Sequence, residues 1–301
     1  MKAVRFARYG GPEVLELVDV DAPHARAGEI RVAVRAVGVN GLEGKIRQGL
    51  LRDVRPLRLP AGTGGDAAGI VDEVGAGVTG IQVGDAVFGS GRETYAEHAV
   101  LTSWAPKPPT VPFTEAAGFA TPFETALRVL DDVGVRSGHT VLVNGASGGV
   151  GSAAVQFAVD RGAFVIGVAG PSNQNYLATL GATPTTYGPG LVGRVRALAA
   201  TGIDAAVDVA GSGVIAELVE LTGDPARVVS IADFTASEHG ARVSTGFGRD
   251  RSQALREGAR LASAGRFTLP VTRTFPLAQA GAAQAENATG HVRGRIVVTV
   301  P

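Results

Sequence analysis

Cysteine is missing from all 301 residues. Its absence excludes a disulfide framework, a thiol nucleophile, an iron–sulfur cluster and thiolate-bound zinc, and it leaves the redox compartment unread. An excess of either charge is also missing: 28 basic residues face 28 acidic ones, for a formal net charge of zero. A neutral chain has no long-range field to gather a phosphate backbone or an anionic membrane, so neither nucleic acid nor a membrane is expected as a partner. All but three of the basic residues are arginine, and they are scattered. A long purely apolar run is absent too. The uncharged stretch Val141 to Val159 carries Asn144, Ser147, Ser152, Gln156 and four glycines, which reads as strand–loop–helix rather than a membrane span. The opening Met1-Lys2-Ala3-Val4-Arg5 has no apolar segment followed by a small-residue cleavage site, so no signal peptide is expected and the localisation is read as cytoplasmic.

What is present is enough chain for two domains of roughly 100–200 residues each. The first hundred residues are β-rich. Lys2 to Phe6, Ile30 to Val37, Gly69 to Val74 and Glu97 to Leu101 are β-branched or alternating runs, separated by Gly10-Gly11-Pro12, Gly62-Thr63-Gly64-Gly65 and Val83-Gly84-Asp85. That spacing predicts a small barrel or sandwich. Pro106, Pro108, Pro109 and Pro112 then mark a connector. Beyond it Thr114 is placed to cap a helix, and Glu124 to Val133 reads as a second one. Strands and helices alternate afterwards: strand 140–143, helix 153–161, strand 164–168, helix 173–180, strand 205–209, helix 214–221 and strand 228–231. Short apolar strands separated by helices predict parallel βαβ units with helices on both faces. A helix over 252–264 and a strand over 294–300 end the chain.

The stretch that carries chemistry is Thr140-Val-Leu-Val-Asn-Gly145-Ala-Ser-Gly148-Gly-Val-Gly151. Glycines spaced G-x-x-G-x-x-G between a strand and a helix let the backbone approach a pyrophosphate at the positive end of the helix. The end of the next strand, Val168-Ala169-Gly170-Pro171-Ser172-Asn173, has no Asp or Glu to hold a ribose 2′-hydroxyl. A carboxylate there would repel a 2′-phosphate, so its absence points to NADPH as cofactor.

Several further motifs resemble, in order, those of zinc-free medium-chain dehydrogenase/reductases of the quinone oxidoreductase group. They are Val34-Arg-Ala-Val-Gly38-Val-Asn40, Gly65-Asp66-Ala67-Ala68-Gly69, Val83-Gly84-Asp85-Ala86-Val87, Thr125-Ala126, Leu180-Gly181-Ala182, Val207-Asp208 and Gly290-His-Val-Arg-Gly294-Arg295. The resemblance implies an α/β protein in which a GroES-like β-rich substrate domain (1–115 plus 265–301) accompanies a Rossmann domain, a doubly wound parallel sheet binding NADP(H) (116–264), with the cofactor in the cleft between them and a homodimer as the assembly. By position it implies Asn40 and Thr125 near the nicotinamide, and Ser147, Gly148, Gly149 and Val150 on the pyrophosphate. Gly170, Asn173 and Tyr187 would surround the 2′-phosphate, Ile231 and Ala232 would flank the nicotinamide, and Arg295 stands where relatives usually have Lys. Leu50, Phe123, Phe234 and the stretch around Phe247 would line the substrate pocket.

The cysteine and histidine ligands of zinc-dependent relatives fall at Asn40 and Gly65, and His24, His98, His139, His239 and His291 are widely spread, so no metal is expected. Without a Lewis acid the expected reaction is hydride delivery from NADPH to a small quinone or α,β-unsaturated carbonyl. Asn40 is the candidate for a hydrogen bond to the developing enolate oxygen. Three positions depart from the pattern: Glu43 for Asp, Leu50 for an aromatic, and Thr186 before Tyr187 for Asp. With Leu50 in place no general acid can be named. Arg52, Arg55 and Arg58 keep an enoyl-thioester reductase of a fatty-acid or polyketide pathway as the alternative, and a non-catalytic NADPH-binding sensor is the third reading.

Overall fold

The computed structural model describes residues 1–246 and 250–301. It divides into two compact units, Met1–Thr121 with Asp250–Pro301, and Pro122–Arg249. The sequence boundaries at 115 and 265 therefore move to 121 and 250.

The first unit opens with β1 (Lys2–Phe6), β2 (Glu16–Asp19), β3 (Ile30–Gly38), α1 (Gly41–Arg47), β4 (Ala61–Gly62), β5 (Asp66–Val74), β6 (Ala86–Arg92) and β7 (His98–Pro106). The period-two pattern does what it predicts in β3: Ile30, Val32 and Val34 are buried while Arg35 is exposed. β6 was not legible, because Gly89 and Gly91 break its alternation. Both glycines are there for close backbone approach: a Cβ would meet Ser103 O at 2.2 Å and Val100 O at 2.0 Å. Next come α2 (Phe113–Ala116) and α3 (Ala120–Asp132). Thr114 does not cap α2. Pro112 does, since its φ of −67° presets the turn.

The second unit continues with β8 (Thr140–Asn144), α4 (Gly149–Asp160), β9 (Phe164–Ala169), α5 (Gln174–Thr179), β10 (Thr183–Thr186), α6 (Leu191–Leu198), β11 (Ala205–Asp208), α7 (Ile215–Thr222), β12 (Val228–Ser230) and β13 (Arg242–Val243). Its sheet runs β10-β9-β8-β11-β12-β13, parallel throughout. This is the doubly wound order, with the reversal between β8 and β11. Helices cover both faces, so strands such as Val141-Leu142-Val143 are apolar on both sides and fully buried.

The chain then returns to the first unit with α8 (Ser252–Ser263), β14 (Val271–Pro276), α9 (Ala280–Asn287) and β15 (Arg295–Thr299). Helix α8 belongs here rather than to the Rossmann unit because it packs on β7. One sheet is β2-β1-β4, and a larger one runs β14-β15-β3-β5-β6-β7. Strand β3 also pairs with β7, so β3, β5, β6 and β7 close on themselves around Ile30, Val32, Val71, Val87 and Leu101. β15 lies antiparallel to β3, which brings Arg295 to the end of β3, next to Asn40.

Candidate active site

In the second unit the glycine loop leaves β8 at the point where strand order reverses. Gly145 has a φ of +81°, and a Cβ there would press on Ala210 and Val209, so glycine is required twice over. At Gly151 a Cβ would lie 2.1 Å from Gly145 O, so α4 can pack on the loop only without a side chain. Gly148 differs: its nearest neighbour would be Gly145 O at 3.7 Å, an ordinary contact, and its φ is −77°. The protein itself has room for a side chain at Gly148; what glycine leaves there is open space before the first turn of α4. No side chain caps that helix and its first turn holds no acid, so Gly149 and Val150 present backbone N–H groups at a positive helix end.

Neighbouring side chains hold the loop in place. Ser147 Oγ accepts from Asn173 Nδ2 at 3.3 Å, and Gly145 and Ala146 donate backbone N–H groups to Val168 O. Tyr176 donates its hydroxyl to Ser152 Oγ at 3.0 Å. Beyond β9, Gly170 sits against the exposed Tyr187 ring, with 3.6 Å of clearance for a Cβ. Arg194, the cation beside this turn, is bound to the backbone oxygens of Thr186, Tyr187, Gly188 and Pro189. Across the switch point, buried Asp208 accepts from Asn144 Nδ2 (2.8 Å), Ser230 Oγ (2.7 Å) and the Ala210 and Gly211 N–H groups. Ser230 Oγ in turn accepts from Ala232 N and Asp233 N. Sequence reasoning had not marked Asp208 as a functional residue, though it joins three strand ends and so fixes the turn holding Ile231 and Ala232. Thr125 is buried and donates to Glu124.

This geometry fits a dinucleotide. Open space at Gly148, an uncapped helix start, and a β9 terminus without a carboxylate are what a pyrophosphate and a 2′-phosphate require.

The first unit contains a buried polar cluster built on Asn40, at the start of α1. Asn40 Nδ2 donates to Glu43 Oε1 at 3.2 Å and to Asp66 Oδ2 at 3.1 Å, while its Oδ1 accepts from Arg295 Nη2 at 3.0 Å. Two carboxylates that only accept and a guanidinium that only donates permit a single orientation of the amide. Glu43 also accepts from Asn40 N (3.2 Å), Gly65 N (3.2 Å) and the Tyr95 hydroxyl (2.8 Å). Asp66 accepts from Ser90 Oγ, Thr121 Oγ1 and Thr121 N, with Arg295 3.8 Å away. Burial, opposed by these donors and reinforced by the charge of Asp66, raises the Glu43 carboxyl to about 7. Burial lowers the Arg295 guanidinium from its ordinary value, opposed by Asp66 and Glu43, and its Nε is buried without a partner among the described residues. Arg47 closes the far side through Gln284 and Gly10 O.

The cluster thus unites Asn40 and Arg295, which the sequence had marked, with Glu43, marked only as a departure. Tyr95 and Asp66 had no assigned role, because only the fold shows that both are fully buried. Of the candidate pocket residues, Leu50 and Phe234 are exposed. Phe123 is not a pocket residue: it is fully buried, edge-on to Phe157 at 5.6 Å. Phe247 lies outside the described residues. Among those residues no three His, Asp or Glu side chains gather in a metal-holding arrangement, and no helix is long and apolar enough to cross a membrane.

Residues 26–102 match the alcohol dehydrogenase GroES-like domain, and residues 180–298 match the zinc-binding dehydrogenase domain. A solved NAD-dependent alcohol dehydrogenase superposes with a TM-score of 0.86 at 30% identity, over 100% of both chains. The chain belongs to the medium-chain dehydrogenase/reductase family. Within it, a quinone oxidoreductase from Rattus norvegicus is 41% identical over 177 residues, covering 56% of this chain and 53% of that protein; the chain thus aligns with about half the length of such relatives. The spectinabilin polyketide synthase system protein NorB of Streptomyces orinoci is 34% identical over 99% of this chain but 14% of its own length. A mycobacterial protein complexed with NADPH superposes with a TM-score of 0.86 at 26% identity, over 99% of each chain.

Proposed function

We propose that the protein is an NADPH-dependent reductase of quinones or small α,β-unsaturated carbonyls, acting without a metal as a cytoplasmic homodimer. The observation that carries the reading is Gly148, whose missing side chain leaves space that the fold itself does not need. Likeness to quinone oxidoreductases and to an NADPH-bound structure supports the same reading.

Bound NADPH supplies a hydride, two electrons and one proton's mass, to the acceptor. Ser147, Gly149 and Val150 hold the pyrophosphate, Gly170, Asn173 and Tyr187 surround the 2′-phosphate, and Thr125, Ile231 and Ala232 orient the nicotinamide. Arg295 adds a cation for the cofactor, and Asn40 stands at the acceptor oxygen as charge develops on it. The product anion takes its proton from solvent.

A second reading rests on segment 50–58, where Leu50 and Val54 are exposed beside Arg52, Arg55 and Arg58. That mixture suits a phosphate-bearing thioester, and NorB resembles the chain along nearly its whole length.

Steady-state oxidation of NADPH against a benzoquinone, a naphthoquinone, a simple enone and crotonyl-thioester, with NADH as control, tests both. Faster turnover of quinones with NADPH supports the first reading. Preference for the thioester moves the function to enoyl reduction. Binding of NADPH without turnover of any acceptor overturns both.

A further inference from the structure

Asn40, as it stands, has no hydrogen to offer a substrate. Both amide hydrogens are held by carboxylates, on Glu43 and Asp66, and the carbonyl oxygen faces Arg295. One of these holds is unlike the other. Asp66 receives four further donors or charges, from Ser90, Thr121 twice and Arg295, so its carboxylate is firmly solvated by the protein. Glu43 lies close to Asp66 with no cation in contact among the described residues; its partners there are neutral groups, Asn40, Gly65 and Tyr95.

We propose that Glu43 is a positioning residue for Asn40: ionised, it keeps one Asn40 amide hydrogen, and on taking up a proton it releases that hydrogen to the acceptor oxygen. A neutral carboxyl oxygen is a weaker acceptor than a carboxylate by about a factor of two, so the developing oxyanion competes for the N–H only when Glu43 is protonated. Arg295 keeps the Asn40 carbonyl turned away, so the amide stays aimed as it changes partners. This inference rests on the reductase reading, with Asn40 at the acceptor.

The groups facing Glu43 are those that would set its proton affinity. Asp66 on β5 raises it, the Tyr95 hydroxyl before β7 lowers it, and Arg295 on β15 lies one residue further off, behind Asn40. On α1 itself Arg47 points to Gln284 and Gly10 O, and α9 contributes the neutral Gln284. Burial dominates and raises the carboxyl to about 7.

The test is the pH profile of kcat/KM for a quinone acceptor with NADPH, between about pH 5 and pH 9, in the intact enzyme and in Glu43→Gln and Tyr95→Phe. An infrared titration of the carboxyl stretch of all three proteins reads protonation without turnover. In the wild type kcat/KM is expected to fall about tenfold per pH unit above the inflection. Glu43→Gln abolishes that fall together with the matching infrared band, and Tyr95→Phe, which removes a donor to the carboxylate, moves both upward in pH. Turnover with an inflection that survives Glu43→Gln overturns the proposal and leaves the reductase reading intact, as does an infrared titration lacking a Glu43 band. Absence of turnover with every acceptor overturns both.

Discussion

Tyr95 donates its hydroxyl to Glu43 across 2.8 Å, and neither side chain has more than 6% of its surface exposed. The pair joins α1 to the turn before β7 inside the closed strands of the first unit. Replacing Tyr95 with Phe keeps the ring packing and leaves a buried carboxylate one donor short. The expected cost is about 1–3 kcal/mol, read as a lower urea midpoint with an unchanged slope.

The same carboxylate makes stability depend on pH. Its value in the fold is about 7, against 4.5 ordinarily. A raised value means that the folded state holds its proton more tightly than the unfolded one. The contribution is therefore complete below about pH 4.5, is lost as pH rises through about 7, and is flat above. The difference converts to about 3 kcal/mol. Urea unfolding at about pH 5 and about pH 8 measures it, and Glu43→Gln is expected to remove most of that slope.

Gly148 and Gly151 separate a need of the ligand from a need of the fold. Gly151→Ala drives a Cβ against Gly145 O and is expected to cost about 1–3 kcal/mol. Gly148→Ala meets only ordinary contacts, so its stability is expected to change by about 1 kcal/mol or less. NADPH affinity, measured by fluorescence titration, is expected to fall at least about tenfold. Equal affinity in Gly148→Ala and wild type contradicts a pyrophosphate at this position.

Cofactor choice is expected to turn on the end of β9. Gly170 has room for a Cβ, 3.6 Å from Tyr187, so Gly170→Asp places a carboxylate where a 2′-phosphate would lie. The ratio of kcat/KM for NADPH over NADH is expected to drop at least about tenfold.

Most of the Rossmann unit was legible because its strands are short apolar runs and its helices lie where βαβ units need them; β8, β9, β11 and β12 fall within a residue of their expected limits. β6 and β10 were not, since Gly89, Gly91 and Pro184 break the apolar alternation, and only neighbouring backbones reveal why glycine is needed. The glycine loop was readable as a motif, but its three glycines looked alike in sequence. Clearance around a Cβ distinguishes them. The buried cluster was half visible: Asn40 and Arg295 were marked, yet Asp66, Tyr95 and Gln284 come from distant segments whose burial no local pattern encodes. α8 was assigned to the wrong unit because an amphipathic helix does not reveal which sheet it covers; its apolar face meets β7.

Arg295 enters the Asn40 cluster from β15, whereas Asn40, Glu43, Asp66 and Tyr95 all come from the first hundred residues. During synthesis the ribosome therefore makes the acids and the amide long before the guanidinium that joins them, and completes the contiguous glycine-loop unit in between. The emerging chain carries a finished nucleotide fold attached to an unfinished partner, whose interior charges are balanced only when the last strand is laid against β3.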